Sequence, residues 1–168
     1  RWQIAQKAEA NHETHTELTE DTDWTERWLD EQFDLQLDHL YHKDILEVGC
    51  GTGMIHAFDF PCNNVGIDPL LLDLDERFAT SSAQLLSGIG ESLPFSDGIF
   101  DVVIYYNVLD HTRNPEKTVS ECHRVLADDG ELFLSVNVFD AHSMLRRVAD
   151  YVDRPHPHHF TVSEVRSM

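Results

Sequence analysis

Short apolar runs alternate with amphipathic stretches along most of this chain. Five runs have the length and side-chain type of buried strands: Ile45–Val48, Val65–Ile67, Gln84–Leu86, Phe100–Tyr106 and Glu131–Val138. Ahead of them, Trp24, Trp28, Leu29, Phe33, Leu35, Leu37 and Leu40 recur near helical spacing. They predict a covering helix with one aromatic and aliphatic face turned to the body of the domain. Between the fourth and fifth runs, Pro115–Leu126 carries a partial helical face of Val119, Cys122, His123, Val125 and Leu126. Pro115 suits its first turn and Asn114 its cap, and Asp129-Gly130 predicts a turn into the last strand. Ser143–Val152 predicts another helix, broken by Pro155 and Pro157, and Thr161 to Glu164 has the pattern of a capping box. Residues 1–23 show no sustained apolar stripe. The alternation predicts an α/β fold with a doubly wound, mainly parallel sheet. It divides the chain into an arm and covering helix over 1–40, a core over 41–140, and a C-terminal loop and helix over 141–168.

Composition narrows the partners. A chain of 168 residues with 41% hydrophobic content can bury one core, and no apolar run has the length of a membrane span. The net charge is −19, from 31 acidic residues against 12 basic ones, and the lysines are Lys7, Lys43 and Lys117. Such a surface repels phosphate backbones, so no nucleic-acid partner is expected. It also has the acid-rich, lysine-poor character of halophilic proteins, although an ordinary acidic surface is the plainer reading. Three cysteines, Cys50, Cys62 and Cys122, lie far apart without CxxC spacing, which points to thiols in a reducing, cytoplasmic setting. The chain opens on Arg1 rather than Met, as an excerpt or processed form would.

The chemistry concentrates at residues 45–53, ILEVGCGTG. Here a buried strand ends in a turn whose glycines let the backbone fold sharply and lie close to a ligand. Glu47 within that strand is a costly charge unless a ligand or backbone donor pairs with it. A dinucleotide site calls for GxGxxG and a pyrophosphate on the helix N-terminus. The spacing here is GxGxG, and a carboxylate beside it opposes a pyrophosphate but welcomes a cation. The nearest part of the ligand should therefore carry positive charge, such as an amino group.

ILEVGCGTG resembles motif I of the class I S-adenosylmethionine-dependent methyltransferases, in their small-molecule, type 11-like branch. VGIDP at 65–69 resembles the end of the family's second strand. GESLPFSDGIFDVV at 90–103, NVLDH at 107–111 and ECHRVLADDGELFLSV at 121–136 resemble the segments that follow, in order and spacing across residues 45–138. The resemblance implies a Rossmann-like fold, truncated or lacking the last antiparallel strands, that binds S-adenosylmethionine. It implies a cofactor site of Glu47, Gly49, Cys50, Gly51, Gly53, Asp68, Pro69, Leu70, Gly90, Glu91 and Asn107. In it Asp68 accepts from the ribose hydroxyls, Leu70 or its neighbours wall the adenine, and Glu47 acts indirectly near the amino group. Ile89 stands where family members often carry an acceptor for the adenine amino group, which leaves that contact to backbone at Gly90 and Glu91.

Methyl transfer asks the protein mainly to align acceptor and methyl group, with a base where the acceptor arrives protonated. His111 and Asp110, after the fourth strand, are the catalytic candidates: an imidazole to take the proton, and a carboxylate to orient it, hold a substrate hydroxyl or act as base itself. The implied acceptor is a small molecule with a hydroxyl or similar group. The segment after the fourth strand, Tyr106-Asn107-Val108-Leu109, is unlike the Asn-Pro-Pro-Tyr type of amino-methylating enzymes. His156, His158 and His159 match no closed zinc spacing, so no metal is expected and the loop should lie over the substrate entrance. Asp101 should be structural, and Trp24 and Trp28 core residues of the covering helix. An open sheet edge favours pairing in a homodimer. Two other readings stay open: a non-catalytic domain that keeps the fold for regulation or partner binding, and a nicotinamide-dependent oxidoreductase.

Overall fold

In a computed structural model, which describes residues 2–3, 5–7, 22–71, 81–139 and 156–168, each of the five apolar runs is a strand of one sheet. They are β1 (Asp44–Val48), β2 (Asn63–Asp68), β3 (Gln84–Ser87), β4 (Phe100–Tyr106) and β5 (Leu126–Ser135). The order is β3-β2-β1-β4-β5 and every pairing is parallel. From β1 the chain steps outward to β3, then returns beside β1 as β4 and steps outward the other way. The winding reverses between β1 and β4, and the crevice at their carboxyl ends is where such sheets bind ligands.

Burial on both faces explains the near-continuous apolar runs of β1 and β4. Alternate residues feed two cores. Ile45, Val102 and Ile104 join Leu29, Met54, Ile55 and Phe58 on one face. Leu46, Val48, Val103 and Tyr105 join Leu109, Cys122 and Val125 on the other. The first face is covered by α1 (Thr22–Phe33), whose Trp28 meets Tyr106 edge-on at 4.3 Å between ring centroids. The second is covered by α2 (Pro115–Val125), capped as expected by Asn114, whose Oδ1 accepts from Lys117 N at 3.1 Å.

Three expectations change. The covering helix does not run on to Leu40. Asp34 takes a left-handed φ of 53°, Leu35 N–H reaches back to Leu29 O, and a separate 3-10 turn forms over Leu37–Leu40. Aspartate tolerates that conformation better than most residues, so the stop carries no glycine signal. Trp24 is 40% exposed and lies against Trp28 rather than in the core. The fifth strand begins at Leu126 instead of Glu131 and ends at Ser135. Leu126 pairs with Phe100 and Glu131 with Val102, so Asp129-Gly130 sits in a bulge that interrupts the ladder rather than in a turn before it.

Asp101 is structural as expected, its Oδ2 accepting from Asp44 N at 2.9 Å. Arg124 on α2 clasps the segment before β4, donating to Leu93 O at 3.0 Å, Phe95 O at 2.8 Å and Asp97 at 2.7 Å. Its bonds to Glu121 hold that carboxyl below the usual range. The capping box at Thr161 and Glu164 forms and opens the single turn α3 (Val162–Val165). The helix predicted over 143–152 lies outside the described residues. Among the described residues no helix is long and apolar enough to cross a membrane.

Candidate active site

The glycine loop after β1 is held from three sides. Gly49 N and Cys50 N donate to Ile67 O on β2, and Gly51 N donates to Asp68 Oδ2 at 3.2 Å. His56, in the 3-10 turn Met54–Ala57, reaches Gly51 O through Nε2 at 2.9 Å. A carbonyl only accepts, so Nε2 carries the proton, and Nδ1 meets Ser81 Oγ at 2.8 Å. Gly49 (φ 72°) and Gly51 (φ 37°) occupy the left-handed region. A Cβ on Gly49 would also lie 2.5 Å from Val108 Cγ1. Gly49→Ala should therefore destabilise the fold by about 2–4 kcal/mol, from left-handed strain and overpacking together. A lower denaturation midpoint at unchanged slope would show it, and an unchanged midpoint would refute it.

The loop borders a cavity of about 290 Å³ at the carboxyl ends of β1, β2 and β4, close to the size of small-ligand pockets. All eleven of the expected cofactor residues line it, from Glu47 to Asn107, and so does His111. They do so in different ways. Cys50 packs its sulfur against Gly66, and its backbone N–H and C=O are taken by Ile67 O and Gly53 N within the loop. Asp68 is buried at the end of β2, with Oδ1 accepting from Leu70 N at 2.7 Å and Oδ2 from Gly51. A carboxylate has about four acceptor sites, more than these two backbone bonds occupy. The Glu91 carboxylate turns to the following loop, accepting from Arg113 N at 2.6 Å and Asn114 N at 3.2 Å. Asn107 sits at φ 52°, and its side-chain oxygen accepts from Asn137.

Glu47 is 2% exposed. Its Oε2 accepts from Ile55 N at 2.6 Å, and a Cβ on Gly53 would lie 2.8 Å from its Oε1. Burial pushes its carboxyl up to about 8, against the opposing pull of the Ile55 and Met54 amides and with a smaller upward push from Asp68. The carboxyl braces the glycine loop from below and takes a proton at neutral pH.

At the β4 end the structure separates the two catalytic candidates. His111 lines the cavity. Asp110 is 5% exposed and outside the lining, with its Oδ2 3.9 Å from His111 Nε2. The two side chains stand at ion-pair distance, longer than a hydrogen bond. The histidine loop returns to this place: His156 packs edge-on against His111 with centroids 4.8 Å apart, and His158 Nε2 donates to Thr112 O at 2.9 Å.

Several residues in the site escaped the sequence reading. Trp2 and Gln6 close one side of the cavity, and the Arg113 guanidinium lies 3.6 Å over the Trp2 ring. His56 was another, and Tyr106 and Val108 complete the β4 side. Spacing along the chain holds no signal for Trp2, which reaches the site only through the fold. His56 follows the glycine loop closely enough that its polarity in an apolar turn was the available hint.

Comparison with known proteins agrees with this geometry. A family model described as a methyltransferase domain matches residues 46–134, just over half of the chain. A tRNA U34 carboxymethyltransferase of Alcanivorax borkumensis is 33% identical over 130 residues, covering 71% of this chain and 40% of that protein. A ubiquinone biosynthesis O-methyltransferase of Pseudomonas aeruginosa is 31% identical over 119 residues, covering 64% of this chain and 48% of that protein. The chain spans about half the length of the curated relatives it matches. The crystal structure of the YcgJ protein of Bacillus subtilis superposes with a TM-score of 0.63 at 23% identity, covering 76% of this chain and 59% of that one. On a family match that takes in the glycine loop, Asp68 and His111, the chain belongs to the methyltransferase domain family, the type 11 branch of the class I S-adenosylmethionine-dependent methyltransferases.

Proposed function

We propose that this chain transfers a methyl group from S-adenosylmethionine to a small-molecule acceptor through a hydroxyl or similar group. The observation that carries the reading is one cavity bordered by the glycine loop, a buried carboxylate at the end of β2 and an imidazole after β4. When bound, the cofactor supplies an electrophilic methyl group on a sulfonium. Asp68 accepts from its ribose hydroxyls, and the backbone of the glycine loop passes its methionyl part, with Glu47 beneath. Leu70 and Ile89 wall the adenine. Ile89 offers no acceptor, so adenine contacts fall to backbone at Gly90 and Glu91. His111 takes the acceptor's proton, and Asp110 holds the imidazole in place.

The net charge of −19 supports a small acceptor over a nucleic acid, and the O-methyltransferase among the relatives is consistent with that choice. Calorimetry with S-adenosylmethionine, S-adenosylhomocysteine and NAD tests the donor. Both sulfur compounds should bind and NAD should not. If neither binds, the domain keeps the fold for partner contacts instead. Turnover on a panel of small hydroxylated rings tests the acceptor end, where His111→Ala should lower the rate about a hundredfold at unchanged cofactor affinity. Equal turnover would remove His111 from the chemistry.

A further inference from the structure

Asp110, His111 and His156 each offer one ligand atom, and the three atoms lie within 4.8 Å of one another. We propose that these residues form a binding site for a divalent transition-metal ion at the acceptor end of the cavity. Tetrahedral bonds of about 2.0–2.2 Å to an ion such as Zn²⁺ set ligand atoms about 3.3–3.6 Å apart. A closing movement of about 1–1.5 Å therefore completes the set, and His156, the half-buried member, can make it by a change of side-chain rotamer.

Three observations support the grouping. Asp110 and His111 are buried, at 5% and 7% exposure, so two ligands are already ordered. The loop that brings the third is tied down around it. His158 donates to Thr112 O, Phe139 N donates to Phe160 O at 2.7 Å, and Phe160 bridges Val138. Finally, two imidazoles and one carboxylate form a donor set that favours zinc, iron or manganese over magnesium or calcium. Three protein ligands leave coordination positions open, as catalytic metal sites do and closed structural ones do not.

The site would act on the acceptor, a role that rests on the methyl-transfer reading, whereas the binding of metal does not. An acceptor hydroxyl in an open position is acidified by the ion. Its proton passes to solvent and its oxygen forms a bond to the methyl carbon. The carbon–sulfur bond breaks with the electron pair left on sulfur, and the ion keeps its oxidation state. His111 would then be a ligand, and acidification of the hydroxyl by the ion, with solvent receiving the proton, would stand in for a side-chain base.

The test uses the whole chain, stripped of metal, titrated with Zn²⁺ by calorimetry and with Co²⁺ by visible absorption. High salt screens the acidic surface against loose binding. One ion per chain should bind, undisplaced by magnesium. His156→Ala and Asp110→Asn should each weaken binding about tenfold or more, and His159→Ala should leave it unchanged. Added zinc should raise the unfolding temperature of the unsubstituted chain and not of the two ligand variants. Binding unaltered by both ligand substitutions, or displaced by magnesium, overturns the site. Calorimetry with S-adenosylhomocysteine on the same metal-stripped protein separates the failures: cofactor binding without zinc binding leaves the methyl-transfer reading intact and removes the metal.

Discussion

Asp68→Ala should weaken S-adenosylmethionine binding by about a hundredfold to ten-thousandfold. The estimate follows from hydrogen bonds to a charged acceptor, each contributing about 1.5–3 kcal/mol, with two expected from the ribose. The same carboxylate holds Gly51 N and Leu70 N, so its loss also loosens the turn that passes the methionyl part. Asp68→Asn is the milder change. It keeps one acceptor oxygen and one of the two backbone bonds, turns its NH2 toward the other backbone N–H and loses the charge, so its affinity should fall between the other two. Calorimetry with S-adenosylhomocysteine reads the series, with thermal unfolding as the check that the sheet is intact. Equal affinity in all three proteins would show that Asp68 serves only the loop.

Glu47→Gln should change how stability depends on pH more than any other single substitution in the site. The Glu47 carboxyl is raised by burial from its ordinary 4.5 to about 8. Between these values the unfolded chain has lost the proton and the folded chain still holds it. Stability from this group is therefore fully present below about 4.5, falls by about 1.4 kcal/mol for each unit of rising pH, and is gone above about 8. The span amounts to roughly 5 kcal/mol. Glutamine has no charge to bury and can still accept from Ile55 N. The variant should match the unsubstituted protein near pH 4.5 and exceed it at pH 8, as read from denaturant unfolding across that window. A stability difference that does not vary with pH would mean that Glu47 is ionised in the fold. On the proposed reading, the same carboxyl should make cofactor binding proton-linked. An ammonium bound nearby favours the ionised form, so a proton should be released on binding at neutral pH, visible as a heat that depends on the buffer.

The sheet was legible because each buried parallel strand carries a short apolar run, Ile45-Leu46 in β1, Val65 to Ile67 in β2 and Val102 to Tyr105 in β4. The turn after β1 was legible for a related reason. A tight turn at a strand end needs glycines at Gly49 and Gly51, both in the left-handed region, with Glu47 just before them and Asp68 at the end of the next strand. The break at Asp34 was not, since a left-handed aspartate leaves the apolar spacing of Leu35, Leu37 and Leu40 undisturbed. Nor was the bulge in β5, where Asp129-Gly130 has the composition of a turn and the register alone decides. The β4 end of the cavity was half legible. His111 stood out by its position after β4, but its neighbours Trp2 and His156 arrive from the two ends of the chain, and no local pattern joins them.

That last arrangement bears on how such a protein diverges. The segment matched by the family runs from 46 to 134, whereas Trp2, Gln6 and His156 border the cavity or touch His111 from outside it. Substitutions at these three positions should reshape that wall of the cavity while the glycine loop stays under its own constraint. On the proposed methyl-transfer reading, relatives that share the matched segment should differ in the acceptor they take where Trp2, Gln6 and His156 differ.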